Sequence, residues 1–199
     1  MHCVTRVDLI RHGEPVGGRR YRGQIDDPLS ERGWRQMEEA LAGECRWQAV
    51  VTSPLSRCRE FAARYAETHC LSLAVEERFM EIGFGAWEGR GHDEIRRLDP
   101  QGIANFLQDP VRYRPPDAEP LDRFAARVRA AWQDLLASYA GRHVLVVAHA
   151  GVIRALTAEV LGMPFEHMFR LQVDNAAINR ILITAEGLPR LLLHNGRLA

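Results

Sequence analysis

Val144-Leu145-Val146-Val147-Ala148 constrains the fold more than any other stretch. It is a continuous apolar run, the signature of a strand buried on both faces, and such strands belong to parallel sheets covered by helices on either side. The run ends abruptly in His149-Ala150-Gly151 and leads into a helical segment, Val152 to Leu161. A second strand near the start of the chain repeats that ending. From Val4 to Ile10, Thr5, Val7 and Leu9 fall on one face and Arg6, Asp8 and Ile10 on the other, and Arg11-His12-Gly13-Glu14 follows. Gly13 can take backbone angles that other residues avoid, and Pro15, Gly17 and Gly18 keep the next segment out of regular structure. Open α/β sheets gather ligands beyond the carboxyl ends of their strands, which is where Arg11, His12 and His149 stand. Taken alone, an Arg-His pair at a strand end also reads as a hydrogen-bonded surface pair.

The intervening segments supply the other elements. Ser30 begins a helix with Trp34, Met37 and Leu41 on one stripe, and Ala49 to Thr52 is a short buried strand. Ser53-Pro54 reads as a helix start, with the Ser hydroxyl capping free amides and Pro at the first helical position. That helix runs to about His69 and buries Leu55, Cys58, Phe61, Ala62 and Tyr65. A strand at Ser72 to Val75 follows. Leu121, Phe124, Val128, Trp132, Leu135 and Tyr139 mark a long amphipathic helix in which no chemistry is visible. Two strands, Ala176 to Thr184 and Leu188 to His194, close the chain around Glu186-Gly187. Together these predict an α/β fold, a three-layer sandwich with a mostly parallel central sheet flanked by helices. The 199 residues, 46% of them hydrophobic, suit one domain over 1–199. A small helical cap is expected as an insertion at about 90–120, with short helices at His92–Leu98 and Gln101–Leu107 and a Pro-rich connection from Arg112 to Pro120. It either shapes a pocket or is a purely structural excursion.

Three further stretches bring charge toward the strand ends. Gly17 to Pro28 reads as a mobile loop bearing Arg19, Arg20, Tyr21 and Arg22, which either closes over an anion or is a solvated basic loop. Arg57 lies in the first turn of its helix, just off the buried stripe. A cation there opposes the helix dipole unless cation and dipole hold an anion together. Glu81 precedes Gly83-Phe84-Gly85-Ala86-Trp87-Glu88-Gly89, whose glycines and aromatics exclude a helix. It is either a carboxyl at the mouth of a constrained loop, desolvated by apolar neighbours, or an exposed loop acid. Arg154, one turn into the helix after His149, reads as a member of a structural pair.

Composition narrows the ligand. Twenty-six basic residues balance twenty-six acidic ones, so neither nucleic acid nor a membrane surface is expected as partner, and the ligand must be attracted locally. Cys3, Cys45, Cys58 and Cys70 show no Cys-x-x-Cys spacing, and there is no charged-then-apolar leader or long apolar run. A reduced, cytoplasmic protein with small buried thiols is expected. A metal hydrolase built on His12, Glu14, Glu81 and His149 is disfavoured, because two arginines would repel a divalent cation and no His-x-x-x-His or carboxylate cluster is present.

Arg11-His12-Gly13-Glu14, Ser53-Pro54-Leu55-Ser56-Arg57, Glu81 ahead of Phe84 to Gly89, and Ala148-His149-Ala150-Gly151 occur in that order across nearly the whole chain. They resemble the motifs of the histidine phosphatase superfamily, the phosphoglycerate mutase-like fold. The resemblance implies His12 as nucleophile, Arg11 and Arg57 as a phosphate clamp, His149 as a second phosphate-contacting imidazole and Glu81 as proton donor. It implies hydrolysis of a small phosphorylated metabolite through a phosphohistidine, with no metal and no cofactor. The physical chemistry agrees: two guanidiniums offer forked donors to phosphate oxygens and disfavour an imidazolium, so His12 stays neutral. Arg19, Tyr21, Arg22, Gly23 and Phe84 are candidate substrate contacts. The compact chain, the Gly-rich stretch leading to Tyr21-Arg22-Gly23, and the segment from Leu161-Gly162-Met163-Pro164 to Val173-Asp174-Asn175 are most similar to the alpha-ribazole phosphatases. Those enzymes remove the 5'-phosphate of alpha-ribazole in late cobalamin assembly. The alternatives are a broad sugar-phosphate phosphatase, a phosphoglycerate mutase-like enzyme, and a non-catalytic phosphate-ligand-binding protein; oligomeric state is not legible. The superfamily's usual Thr and Asn after its Arg-His-Gly-Glu fall here at Pro15 and about Gly18, so one phosphate donor is expected to be missing or replaced by a backbone amide.

Overall fold

The computed structural model describes residues 4–43 and 45–198. Its strands are β1 (Thr5–Arg11), β2 (Ala49–Thr52), β3 (Ser72–Val75), β4 (His143–Ala148), β5 (Ile178–Ile183) and β6 (Pro189–Gly196). Its helices are α1 (Glu31–Ala40), α2 (Ser56–Thr68), α3 (His92–Leu98), α4 (Gly102–Gln108), α5 (Leu121–Ser138) and α6 (Ala150–Leu161). All six strands form one sheet in the order β3-β2-β4-β1-β5-β6. The pairs from β3 to β1 are parallel, and β5 and β6 add an antiparallel flank. The apolar run is β4, placed between β2 and β1 where both its faces are covered. Val7, Leu9, Val144, Val146 and Ala148 pack with residues of α5 and α6, whereas Ile10, Val50, Leu145 and Val147 pack with residues of α1 and α2. Helices therefore sandwich the sheet, as the alternation of strand faces predicts.

Halfway along β1, Asp8 is fully buried among partners. It accepts from Trp47 Nε1 and His143 Nε2 at 2.9 Å each, and from Arg180 Nε and Nη2 at 2.7 and 2.8 Å. Burial pushes its carboxyl up, but the bonds and charges of Arg180 and His143 outweigh that and leave it at about 2. The cluster ties β1 to both neighbouring strands.

Several local expectations change for physical reasons. α2 starts at Ser56, later than Ser53-Pro54 suggested, because its first free amide is capped from a distance: Asp26 Oδ1 accepts from Ser56 N at 2.6 Å. Ser53 Oγ accepts instead from the Leu55 amide at 3.3 Å. Gly13 is required for close approach rather than for left-handed backbone angles, since a Cβ there would meet Gly33 O at 2.1 Å. That contact seats the turn after β1 on the start of α1. Of the cysteines only Cys58 is buried; Cys45 is half-buried and Cys70 exposed in a positive-φ turn after α2, while Cys3 lies outside the described residues. α3 and α4 share a separate apolar cluster, Trp87, Ile95, Ile103 and Phe106. No helix among the described residues is long and apolar enough to cross a membrane.

Candidate active site

β1 and β4 end in register, Arg11 opposite Ala148. His12 and His149 therefore leave adjacent strands side by side, and the His12 amide donates to Ala148 O at 3.0 Å. Their rings meet edge to face, with centroids 5.2 Å apart. His12 Nδ1 lies 2.7 Å from Gly13 O. A carbonyl only accepts, so Nδ1 carries the proton and Nε2 presents a lone pair. Burial, followed by the cations Arg11 and Arg57, holds His12 well below its usual pKa and keeps that lone pair free. Burial and Arg57 push His149 in the same direction. His149 Nε2 lies 2.6 Å from Ser53 Oγ, and the ring is fully buried, absent from the cavity wall that His12 reaches.

Arg11 and Arg57 supply the positive charge beside His12. Arg57, expected just off the buried stripe, is only 1% exposed. The Gly17–Pro28 loop wraps its guanidinium: Nη1 donates to Ile25 O at 2.7 Å and Nη2 to Gly23 O at 2.8 Å. Arg11 Nη1 donates to Val173 O at 2.7 Å. In both arginines Nε is buried without a partner. Both residues line the cavity beside His12, and among the described residues neither guanidinium has a carboxylate partner, so their charge is available to an anion from outside the chain.

The loop expected to be mobile is pinned at many points. Besides Asp26 and the Arg57 bonds, Arg22 pairs with Asp27 at 2.9 Å and donates to Gly18 O at 2.7 Å. Arg22 thus works as a strut although it touches the cavity. Arg20 donates to Gly17 O. Pro15 and Gly18 are absent from the cavity wall, so neither takes over the donor role of the residues they replace.

Glu81 is 9% exposed. Its Oε1 accepts from Ile82 N at 3.0 Å and its Oε2 from Gly151 N at 3.1 Å. A Cβ at Gly151 would lie 2.3 Å from Glu81 Oε1, which explains the glycine two residues after His149. Arg127, on the helix where sequence showed no chemistry, holds the Glu81 turn. It pairs with Glu119 through two bonds and donates to the carbonyls of Arg78, Met80 and Glu81. Its charge is offset by Glu119, so it acts as a bracket.

A cavity of about 360 Å³ opens over His12, Arg11, Arg57 and Glu81. Arg19, Tyr21, Gly23 and Phe84 line it. Tyr21 meets Phe84 edge-on, with centroids 5.0 Å apart, and stacks on His92 at 5.2 Å. Sequence reasoning missed His92, Phe106, Phe169, Gln172 and Arg154 on the same wall. Arg154 was expected in a structural pair; among the described residues it has no carboxylate partner, and its Nε donates to Leu171 O at 2.9 Å. Among the described residues no group of three or more His, Cys, Asp or Glu is placed to hold a metal ion.

Comparison with known proteins adds a family to this geometry. Residues 7–196 match the family described as histidine phosphatase superfamily (branch 1). The chain is 35% identical over 196 residues to the bifunctional protein Rv2228c of Mycobacterium tuberculosis, covering 96% of this chain and 54% of that protein. It therefore spans about half the length of that curated relative. Among solved structures, mycobacterial glucosyl-3-phosphoglycerate phosphatase Rv2419c superposes with a TM-score of 0.85 at 29% identity, covering 97% of this chain and 99% of that one. Its complex with inorganic phosphate matches similarly, with a TM-score of 0.82 at 29% identity and 96% and 97% coverage. The alpha-ribazole phosphatase from Shigella flexneri has a TM-score of 0.82 at 29% identity, with 96% of both chains covered.

Proposed function

Because the chain belongs to branch 1 of the histidine phosphatase superfamily, we propose that it is a phosphatase that hydrolyses small phosphomonoesters through a phosphohistidine on His12. One observation carries this reading: an imidazole kept neutral, with Nε2 free, lines one cavity with two guanidiniums that have no carboxylate partner among the described residues. A phosphoryl group neutralises that charge. Its phosphorus lies open to attack by the His12 lone pair.

In the first step the N–P bond forms and the ester P–O bond breaks. The departing alkoxide takes the proton of the Glu81 carboxyl. In the second, Glu81 takes a proton from water, the water oxygen attacks phosphorus, and the N–P bond breaks to release phosphate. Arg11 and Arg57 stabilise charge on the phosphoryl oxygens throughout, and His149 joins them once the group is on the neighbouring His12 ring. α3 and α4 serve as a cap, bringing His92 and Phe106 over the leaving group. The reading extends to a cytoplasmic enzyme, supported by the unpaired thiols of Cys45, Cys58 and Cys70.

Alpha-ribazole 5'-phosphate is the specific ester to which the Tyr21-Arg22-Gly23 and 161–175 stretches point, and the Shigella neighbour supports it. The Rv2419c neighbour, at the same identity, is named for a different ester. The decisive experiment is acid-quench trapping of radiolabelled phosphate on the protein, with phosphate release measured in the presence of a chelator over a panel that includes alpha-ribazole 5'-phosphate. A labelled wild-type protein and an unlabelled, inactive His12→Ala protein are expected. Chelator-sensitive turnover, or labelling that survives His12→Ala, would sink the mechanism.

A further inference from the structure

The cavity carries more positive charge than one phosphoryl group answers. Arg11 and Arg57 face the phosphoryl position, Arg22 is offset by Asp27, and Arg20 is turned to Gly17 O. Arg19, exposed on its loop, and Arg154 are left over, and Glu81 is the one carboxylate among the lining residues. Arg154 is not a free surface cation. It rises from the second turn of α6, its Nε is anchored on Leu171 O, and its guanidinium sits over Phe169, 5.7 Å from the ring centroid. That anchoring leaves the two terminal nitrogens, the forked end of the guanidinium, for a ligand. Burial and the nearby Arg154 cation also lower Arg11 to about 10, the mark of two like charges held close in a poorly solvated place. The wall beside Arg154 is apolar, formed by Phe84, Phe106 and Phe169.

We propose that the leaving group of the substrate carries a second anionic group, a carboxylate or a second phosphoryl group, bound by the terminal guanidinium nitrogens of Arg154. The inference rests on the phosphatase reading above and narrows its substrate class. Phosphorylated hydroxy acids, phosphorylated amino acids and bisphosphates answer Arg154. A neutral alcohol such as alpha-ribazole leaves it unanswered. Phe106 and Phe84 would pack on the carbon skeleton between the two anionic ends.

The test uses the full chain and two matched pairs. 3-Phosphoglycerate and glycerol 3-phosphate differ by a carboxylate; fructose 1,6-bisphosphate and fructose 6-phosphate differ by a phosphoryl group. Wild-type protein is expected to favour the anionic member of at least one pair by roughly tenfold or more in kcat/KM, and the favoured pair identifies the second anion. Arg154→Gln is expected to collapse that ratio, chiefly through KM of the anionic ester. Arg154→Lys, which keeps the charge but not the fork, is expected to restore part of it. Ratios near one in both pairs overturn the proposal, as do losses in Arg154→Gln that fall equally on both members. If no ester is turned over, the phosphatase reading has failed separately. Calorimetric binding of the same pairs to wild-type protein then decides the subsite: preference for the anionic member supports it, and equal binding overturns it.

Discussion

β1 buries charge at two places, and the protein treats them in opposite ways. At Asp8 each carboxylate oxygen is met by donors from the chain: Trp47, His143 and both ends of the Arg180 fork. At the carboxyl end of the same strand, Arg11 and Arg57 keep buried Nε–H groups without acceptors, and two imidazoles are held neutral by burial and those cations. A buried charge answered within the chain fixes structure, because breaking it leaves a stranded partner. A buried charge left unanswered costs stability and is reserved for a ligand.

The comparison is broken most directly at Asp8. Asp8→Asn leaves Arg180 and His143 without their carboxylate and is expected to destabilise the fold by about 3–5 kcal/mol, read from denaturant unfolding near neutral pH. Its kcat/KM, measured well below the melting transition, should match wild type. A small stability loss with lost activity would reverse the division between the two clusters. The pH dependence sharpens the same point. Asp8 sits at about 2 when folded against an ordinary 3.8, so the unfolded chain binds the proton first as pH falls. Its contribution, about 2 kcal/mol, is fully present above pH 3.8 and lost as pH falls through about 2. That acid-side loss should be missing in Asp8→Asn.

Arg57 tests the other cluster with a smaller effect. Arg57→Met removes a cation that holds His12 neutral, so the His12 imidazole, followed by NMR titration of labelled histidine, should move up toward its ordinary 6.5 from well below it. Phosphate affinity should fall by roughly 10–100-fold in the same variant. An unmoved His12 would mean that burial and Arg11 set its state without Arg57.

Why some of this was legible in the sequence and some was not follows from where the determining contacts lie. The β4 run, the alternation in β1 and the α5 stripe are local patterns, and they place His12 and His149 each at a strand end, whereas the adjacency of the two strands appears only in the sheet order. Glu81 stood out because glycines and aromatics surround it in sequence. Arg57 was located, but its burial was invisible, since the carbonyls that wrap it come from Gly23 and Ile25, more than thirty residues away. The late start of α2 has the same origin in Asp26. Arg127 was hidden by the regularity of its own helix: nothing in the α5 period says that one polar residue will bracket the Glu81 turn. Arg154 looked structural because its anchor, Leu171, and its ring, Phe169, lie in a turn beyond the helix.

Ser53 separates the two kinds of buried polar contact most finely. Its hydroxyl meets His149 Nε2 at 2.6 Å, and among the described residues the ring nitrogens have otherwise only the Cys58 sulfur as a polar neighbour, at 3.7 and 3.8 Å. Burial pushes that thiol far up, so Cys58 stays protonated and offers only a weak partner. If His149 serves structure, as Asp8 does, Ser53→Ala should cost about 1 kcal/mol of stability and leave kcat alone. If His149 serves the transferring phosphoryl group, losing the bond that sets its tautomer should lower kcat by roughly 3–10-fold with little change in KM, and Ser53→Thr should recover much of it. We expect the second outcome, because a histidine kept neutral 5.2 Å from the His12 ring is of use only when charge arrives between them.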